Sequence, residues 1–279
     1  MGSSRWPWLR PAPEARAVHA EPMLAAPTPR TLYIHDDLTD VVRASHGDDS
    51  EALRRVGRLF EAIRAEGARI VVLSLAQQID GLVAQGRRSP FDVTVGIGRA
   101  GERVASQLHA RTGWFPRIRR VELARQERAD GRYKLVTLGA EPLPRQLEPL
   151  DGAASVALVD DTVFSGLTMR AVLRALPLGA FARVEAFCLR AVAQSLTSIA
   201  AWCPVVAGFV APGRLLTDVS FINASGLVLP GAIRCADEST LAFHERPEWM
   251  RAWFPLVADH VTACGRALRA VLEAPRVPA

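Results

Sequence analysis

Residues 155–168 read Ser-Val-Ala-Leu-Val-Asp-Asp-Thr-Val-Phe-Ser-Gly-Leu-Thr. An apolar run, Val156 to Val159, ends in two adjacent carboxylates, Asp160 and Asp161. A small loop with Ser165 and Gly166 follows, and then a stretch that can start a helix. A short apolar run bounded by turn-formers predicts a buried central strand. The loop and helix start offer N–H donors that can hold a phosphate. The carboxylates can accept hydrogen bonds from sugar hydroxyls. The stretch therefore suits a phosphorylated sugar.

Around this segment, strands and helices alternate. Leu32–Ile34 predicts a strand. Between Asp48 and Glu66 a helix is expected, with Leu53, Val56, Phe60 and Ile63 on one face, Ser50 at its start and Gly67 at its end. Arg69–Leu75 fits a strand or a helix start, and the pattern does not separate them. A strand over Asp92–Val95 and a helix over about Glu102–Thr112 come next. Arg117–Leu123 and Tyr133–Leu138 predict strands joined by a polar turn, and Glu141–Asp151, with three prolines, a loop. A helix over Leu167–Leu176 is stopped by Pro177, and Val184–Leu189 and Val205–Val210 are further strands. This order predicts an α/β fold with a mainly parallel sheet and helices on both faces. After Ala211 turn-formers dominate to Pro255, and an amphipathic helix over about Leu256–Leu272 ends the pattern.

The segment 156–168 resembles the PRPP (5-phosphoribosyl pyrophosphate) motif of the type I phosphoribosyltransferases. That motif has four apolar residues, two acids, three variable residues, then Thr or Ser, Gly, any residue and Thr. The resemblance covers about residues 90–190 and implies a twisted parallel sheet with N- and C-terminal additions forming a hood. In those terms the core is about 90–211 and the hood elements are 30–89 and 212–279, in one domain over 30–279. Backbone N–H groups of Thr162, Val163, Phe164, Ser165, Gly166, Leu167 and Thr168 would hold the 5′-phosphate. Asp160 and Asp161 would fix the ribose hydroxyls and favour the cationic sugar of the transition state. Magnesium (Mg2+) would reach the protein mostly through PRPP oxygens and water, with Asp160 and Asp161 as its nearest protein groups. Phe164 occupies the third variable position, where 6-oxopurine enzymes often place an Asp, which argues against a hypoxanthine/guanine enzyme.

Residues 91–101 carry Gly96, Gly98 and Gly101, which satisfy the G-x-G-x-x-G pattern of dinucleotide-binding folds between a strand and a helix. Glu122 lies where a ribose-binding acid would belong. An NAD(P)-dependent oxidoreductase is thus one reading. The resemblance offers another, because its first core strand ends in a Gly-rich turn that cradles pyrophosphate, often through a non-proline cis peptide. Ile97, Gly98, Arg99, Ala100 and Gly101 would form that turn. Only the transferase reading also accounts for Asp160–Thr168. The family's mobile loop would fall at Ala124–Arg132, where Arg125 and Arg128 would assist departure of pyrophosphate and closure would exclude water.

Across its 279 residues the chain is 49% apolar with a net charge of +5. A basic balance suits a polyanionic small substrate as well as nucleic acid. No segment interleaves basic and aromatic residues, so nucleic acid is not expected as a partner. No apolar run approaches a membrane span, so no membrane partner is expected either. The N-terminal 29 residues, rich in proline, predict a poorly ordered arm. Cys188, Cys203, Cys235 and Cys264 are widely spaced and form no CxxC pair, which argues against zinc and fits a reduced, cytoplasmic protein. The expected partners are PRPP and a small acceptor, and the family is often homodimeric. Candidate acceptor-lining residues are His35, Asp36, Asp37, Phe221, Asn223, Asp237, Glu238, His244 and Glu245. Their acids suggest a cationic or amine acceptor. A non-catalytic PRPP sensor is a third reading.

Overall fold

The computed structural model describes residues 28–274 except 131 and 151. Most of the expected arm, residues 1–27, lies outside the described residues, as does Gly131 at the tip of the expected loop.

A five-stranded parallel sheet forms the centre. Its strands are β3 (Val93–Ile97), β4 (Ile118–Val121), β7 (Ser155–Val163), β8 (Arg183–Val192) and β9 (Val205–Ala211), in the order β4-β3-β7-β8-β9. Helices α3 (Leu75–Val83) and α4 (Gly98–Thr112) cover one face, through Ile79, Leu82, Val104 and Leu108. Helices α5 (Leu143–Leu147), α6 (Leu167–Ala175) and α7 (Ala193–Ala200) cover the other, through Leu147, Met169, Val172, Leu173 and Ile199. Each such fully buried aliphatic side chain contributes roughly 1.5–3 kcal/mol. The expected α/β fold with a parallel sheet flanked by helices is the observed one.

A second, three-stranded parallel sheet is built from distant parts of the chain. It pairs β1 (Thr31–Asp36) with both β2 (Ile70–Ser74) and β10 (Val219–Asn223), in the order β10-β1-β2. Helices α1 (Thr39–His46), α2 (Glu51–Arg64), α8 (Ala224–Val228), α9 (Pro247–Trp253) and α10 (Ala258–Leu272) belong to this part of the chain. Their core includes Leu59, Phe60, Ile63, Leu227, Trp253, Phe254, Val261 and Leu268. The Ser50 hydroxyl accepts the Leu53 N–H at 3.1 Å and so caps α2. Arg69–Leu75 is both things that its sequence allowed: β2 runs straight into α3, whose start Ser74 and Gln77 close with a reciprocal capping box. None of the described helices is long and apolar enough to cross a membrane.

Four expectations are corrected. The stretch 141–150 is not a plain loop: Pro142 and Pro144 sit at the start of α5, where a missing N–H costs nothing. Residues 212–255 are not dominated by turns, since they supply β10, α8, α9 and the short hairpin β11 (Ile233–Arg234) and β12 (Thr240–Leu241). Helix α4 begins at Gly98, not Glu102. Strand β7 does not stop at Val159, because β8 is long enough to pair it through Val163. The chain between β4 and β7 also carries an antiparallel hairpin, β5 (Leu123–Glu127) and β6 (Tyr133–Thr137).

Candidate functional site

Numbered by their order in the chain, the strands of the main sheet run 2-1-3-4-5. In such sheets ligands bind outside the carboxyl ends of the strands, at the point where the order reverses. Here that point lies between β3 and β7. Strand β3 pairs with Val156–Val159 of β7 and no further. From Asp160 onward β7 therefore has β8 on one side and an open edge on the other. The acidic pair sits at the mouth of this crevice.

Close packing sets its depth. A Cβ placed on Gly101 would lie 2.3 Å from the carbonyl oxygen of Val159, so only glycine lets the first turn of α4 touch β7. This corrects the expected glycine-rich turn. Gly98, Arg99, Ala100 and Gly101 form the opening turn of α4, and Ile97 is its N-cap. Gly101 serves helix–strand packing, and the cis peptide that the resemblance implies does not occur among the described residues. Arg99 is exposed and has no carboxylate partner among the described residues.

The stretch expected to hold the 5′-phosphate is only partly a loop. Thr162 and Val163 continue β7, in register with Arg190 and Ala191 of β8. That leaves Phe164, Ser165 and Gly166 as the turn between β7 and α6. Gly166 takes φ +71° to turn the chain into α6, a conformation that costs other residues about 1 kcal/mol or more. The Leu167 N–H reaches Ser165 Oγ at 3.4 Å, and Ser195 Oγ donates to the carbonyl of Phe164. The Phe164 ring packs against the cluster of Leu73, Val192, Ala211, Val219 and Phe221, where the two sheets meet. Its side chain belongs to that junction rather than to the turn.

The two aspartates differ sharply. Burial and the neighbouring Asp161 charge push the Asp160 carboxyl well above the usual carboxylate range, and Arg125 draws it partly back. Asp160 Oδ1 accepts the backbone N–H of Asp161 at 2.8 Å. Burial alone would raise Asp161 too, but Arg190 and Asn223 outweigh it and hold Asp161 below its ordinary value. Asp161 Oδ2 lies 3.2 Å from Arg190 Nη2 and 3.2 Å from Asn223 Nδ2. Arg190 is fully buried, and burial lowers its pKa. Its Nη1 donates to Gln78 Oε1 at 3.3 Å, and Gln78 Nε2 lies 2.8 Å from His35 Nδ1. Burial and then Arg190 press His35 down to about 3, so this imidazole is held neutral. Cys188, expected in the core, is fully buried on β8.

The cations of the expected mobile loop divide. Arg125 lies on β5 beside the site, opposite Leu135 of β6. Arg128 lies at the hairpin tip, 3.7 Å from Asp130. The tip-side half of this hairpin is anchored, as Gln126, opposite Lys134, is buried and donates to the Cys235 carbonyl at 3.1 Å.

Of the candidate acceptor residues, Asn223 touches the acidic pair, and His35 stands behind it through Gln78 and Arg190. Asp36 accepts the Thr39 N–H at 2.9 Å at the start of α1, and Asp37 accepts the Ser225 N–H at 2.8 Å. Phe221 joins the aromatic junction. Asp237 and Glu238 shape the β11–β12 turn, and Asp237 Oδ1 accepts the Ser239 N–H at 3.0 Å. Buried His244 contacts the Leu227 carbonyl at 2.8 Å, and Glu245 pairs with Arg269 at 3.2 Å. The surface also carries two clefts. One of about 310 Å3 is lined by Val71, Gln77, Gln78, Gly208 and Phe209. The other, of about 380 Å3, is lined by Arg119, Arg120, Glu122, Arg145 and Gln146.

Sequence reasoning missed Arg190 and Gln78. Arg190 carried a signal, because a single arginine inside the apolar run from Val184 to Val192 must find an anion if it is buried. Gln78 carried none.

No known family model and no curated protein matches the chain. Among solved structures it is similar to the purine phosphoribosyltransferase from Pyrococcus horikoshii Ot3, at 20% identity and a TM-score of 0.36, over 54% of this chain and 91% of that one. It is similar to a hypothetical protein from Neisseria gonorrhoeae with bound ppGpp, at 19% identity and a TM-score of 0.37, over 58% and 82% of the two chains. It is also similar to the xanthine-guanine-hypoxanthine phosphoribosyltransferase of Helicobacter pylori, at 13% identity and a TM-score of 0.30, over 68% and 92%.

Proposed function

We propose that this protein transfers the 5-phosphoribosyl group of PRPP to a small acceptor, a nucleobase or an amine or hydroxyl of a metabolite, and releases pyrophosphate. One observation carries the reading: an acidic pair and the turn after it stand at the switch point of the sheet, on the open edge of β7. Amides at the start of α6, with the Ser165 and Thr168 hydroxyls, would bind the 5′-phosphate at the positive end of the helix. Asp160 and Asp161 would hold the ribose hydroxyls. The charge of Asp161, which Arg190 and Asn223 keep in its ionised form, would favour the cationic ribose that forms as the C1–O bond breaks and the acceptor attacks C1. Arg125 and Arg99 would draw the departing pyrophosphate, at the hairpin and at the first turn of α4.

Magnesium fits this donor set. One oxygen of Asp161 is committed to Arg190 and Asn223, and no cluster of three metal-ligating side chains occurs among the described residues. An ion that brings phosphate oxygens and water as most of its ligands needs little more from the protein. When bound it would neutralise charge on the leaving pyrophosphate.

The dinucleotide reading is the weaker one. Gly101 is accounted for by packing, and the 2-1-3-4-5 strand order differs from the 3-2-1-4-5-6 order of dinucleotide-binding sheets. Titration calorimetry with PRPP plus magnesium, and separately with NAD(P), tests the choice. Binding of PRPP that weakens about tenfold in Arg125→Ala supports the proposal. Binding of NAD(P) with no response to PRPP overturns it. Pyrophosphate release with a panel of nucleobases and amines then separates a transferase from a sensor.

A further inference from the structure

Arg190 is the one charged side chain among the largest fully buried ones, and it touches the acidic pair. It stands on β8 opposite Thr162, one residue beyond the aspartates, so its guanidinium enters the site from behind. Nη2 meets both Asp161 Oδ2 and Asn223 Oδ1. Asn223 Nδ2 then donates to the same Asp161 oxygen, which closes a three-membered ring of polar contacts. Nη1 is held by Gln78, which His35 and the Ser74 carbonyl hold in turn, the latter at 2.9 Å. Four of these groups come from three places: Asn223 from β10, His35 from β1, Gln78 and Ser74 from the junction of β2 and α3.

A carboxylate with one oxygen bound by two donors cannot rotate freely. Its second oxygen then has a fixed direction. Among the described residues Asp161 is the only acid that Arg190 pairs with, and its side chain is 16% exposed. Burial makes the pair expensive to build. We propose that Arg190 is a positioning residue for the sugar diol: it locks one oxygen of Asp161 so that the other meets the ribose 2-hydroxyl. The lock is completed by Asn223, so the second sheet helps to set sugar recognition in the first. This inference rests on the phosphoribosyl reading given above.

Calorimetry with ribose 5-phosphate and 2-deoxyribose 5-phosphate tests it without any acceptor. In the wild type, ribose 5-phosphate should bind about tenfold more tightly than the deoxy sugar. Arg190→Met should reduce that preference to under about twofold and leave the deoxy sugar's affinity within about twofold of wild type. Arg190→Lys should restore part of the preference, because a cation can still reach Asp161. Asn223→Ala, which leaves Arg190 in place, should lower the preference in the same direction and decides the matter if Arg190→Met does not fold. Equal weakening of both sugars in folded variants would make Arg190 merely structural and overturn the inference while the phosphoribosyl reading stands. Failure of the wild type to bind either sugar would instead remove that reading, and the inference with it.

Discussion

Arg246 Nη2 donates to Glu127 Oε2 at 2.6 Å, across 119 residues of chain. The contact pins the far end of β5 to the segment that leads into α9. Tyr133, on the partner strand β6, donates to the other oxygen of Glu127 at 3.3 Å and packs on the core of the second sheet. A free-moving loop over Ala124–Arg132 is therefore replaced by a hairpin fastened at the last pair of its ladder, Glu127 opposite Tyr133.

Arg246→Met should loosen this hairpin. Both partners are largely shielded, so the pair contributes about 1–3 kcal/mol, more than a surface pair would. Hydrogen exchange at amides of 123–137 should quicken about tenfold, while those of β7 and β8 stay protected. Unchanged exchange in the hairpin would mean that the Gln126–Cys235 contact suffices to hold it.

Two glycine substitutions should act in opposite directions. Gly101→Ala drives a methyl into the Val159 carbonyl and should cost about 2–4 kcal/mol. Gly57→Ala, on the exposed side of α2 with nothing within 4 Å, should stabilise by about 0.5–1 kcal/mol. Urea denaturation of the two variants against wild type measures both.

His35 should steepen the acid side of the stability curve. The fold holds it neutral down to about 3, whereas the unfolded chain protonates it near its ordinary value. Its contribution is thus complete above about pH 6.5 and is lost as the pH falls toward 3. Asp160, raised in the fold, works in the opposite sense and offsets part of the loss. Between these limits wild type should lose up to about 1.4 kcal/mol per pH unit more than His35→Gln. Parallel curves for the two proteins would show that His35 takes up its proton equally in both states.

Asp161→Asn should impair both ligand binding and stability. An amide keeps the shape but leaves the buried Arg190 without a counter-charge. A loss of about 1–3 kcal/mol is expected, with PRPP affinity down at least about tenfold. The same variant at Asp160, which has no cation within bonding distance among the described residues, should unfold at higher urea than Asp161→Asn.

Local chemistry wrote much of this protein into its sequence. Apolar runs such as Val156–Val159 and Val184–Leu189 have few alternatives to a covered sheet, and the 3.6-residue spacing of Val56, Phe60 and Ile63 needs no partner to be recognised. The acidic pair and the Ser50 cap were legible for the same reason, since each is a property of a few consecutive residues. What no window of the chain contained was who meets whom. Strand β10 exists because β1, far upstream, offers it an edge, and β7 runs on to Val163 because β8 is there to pair with it. The partition of Asp160 and Asp161 into a raised and a lowered acid was likewise decided by Arg190 and Asn223. Backbone ladders and buried charges take their energy from distant groups, so only the folded chain could assign them.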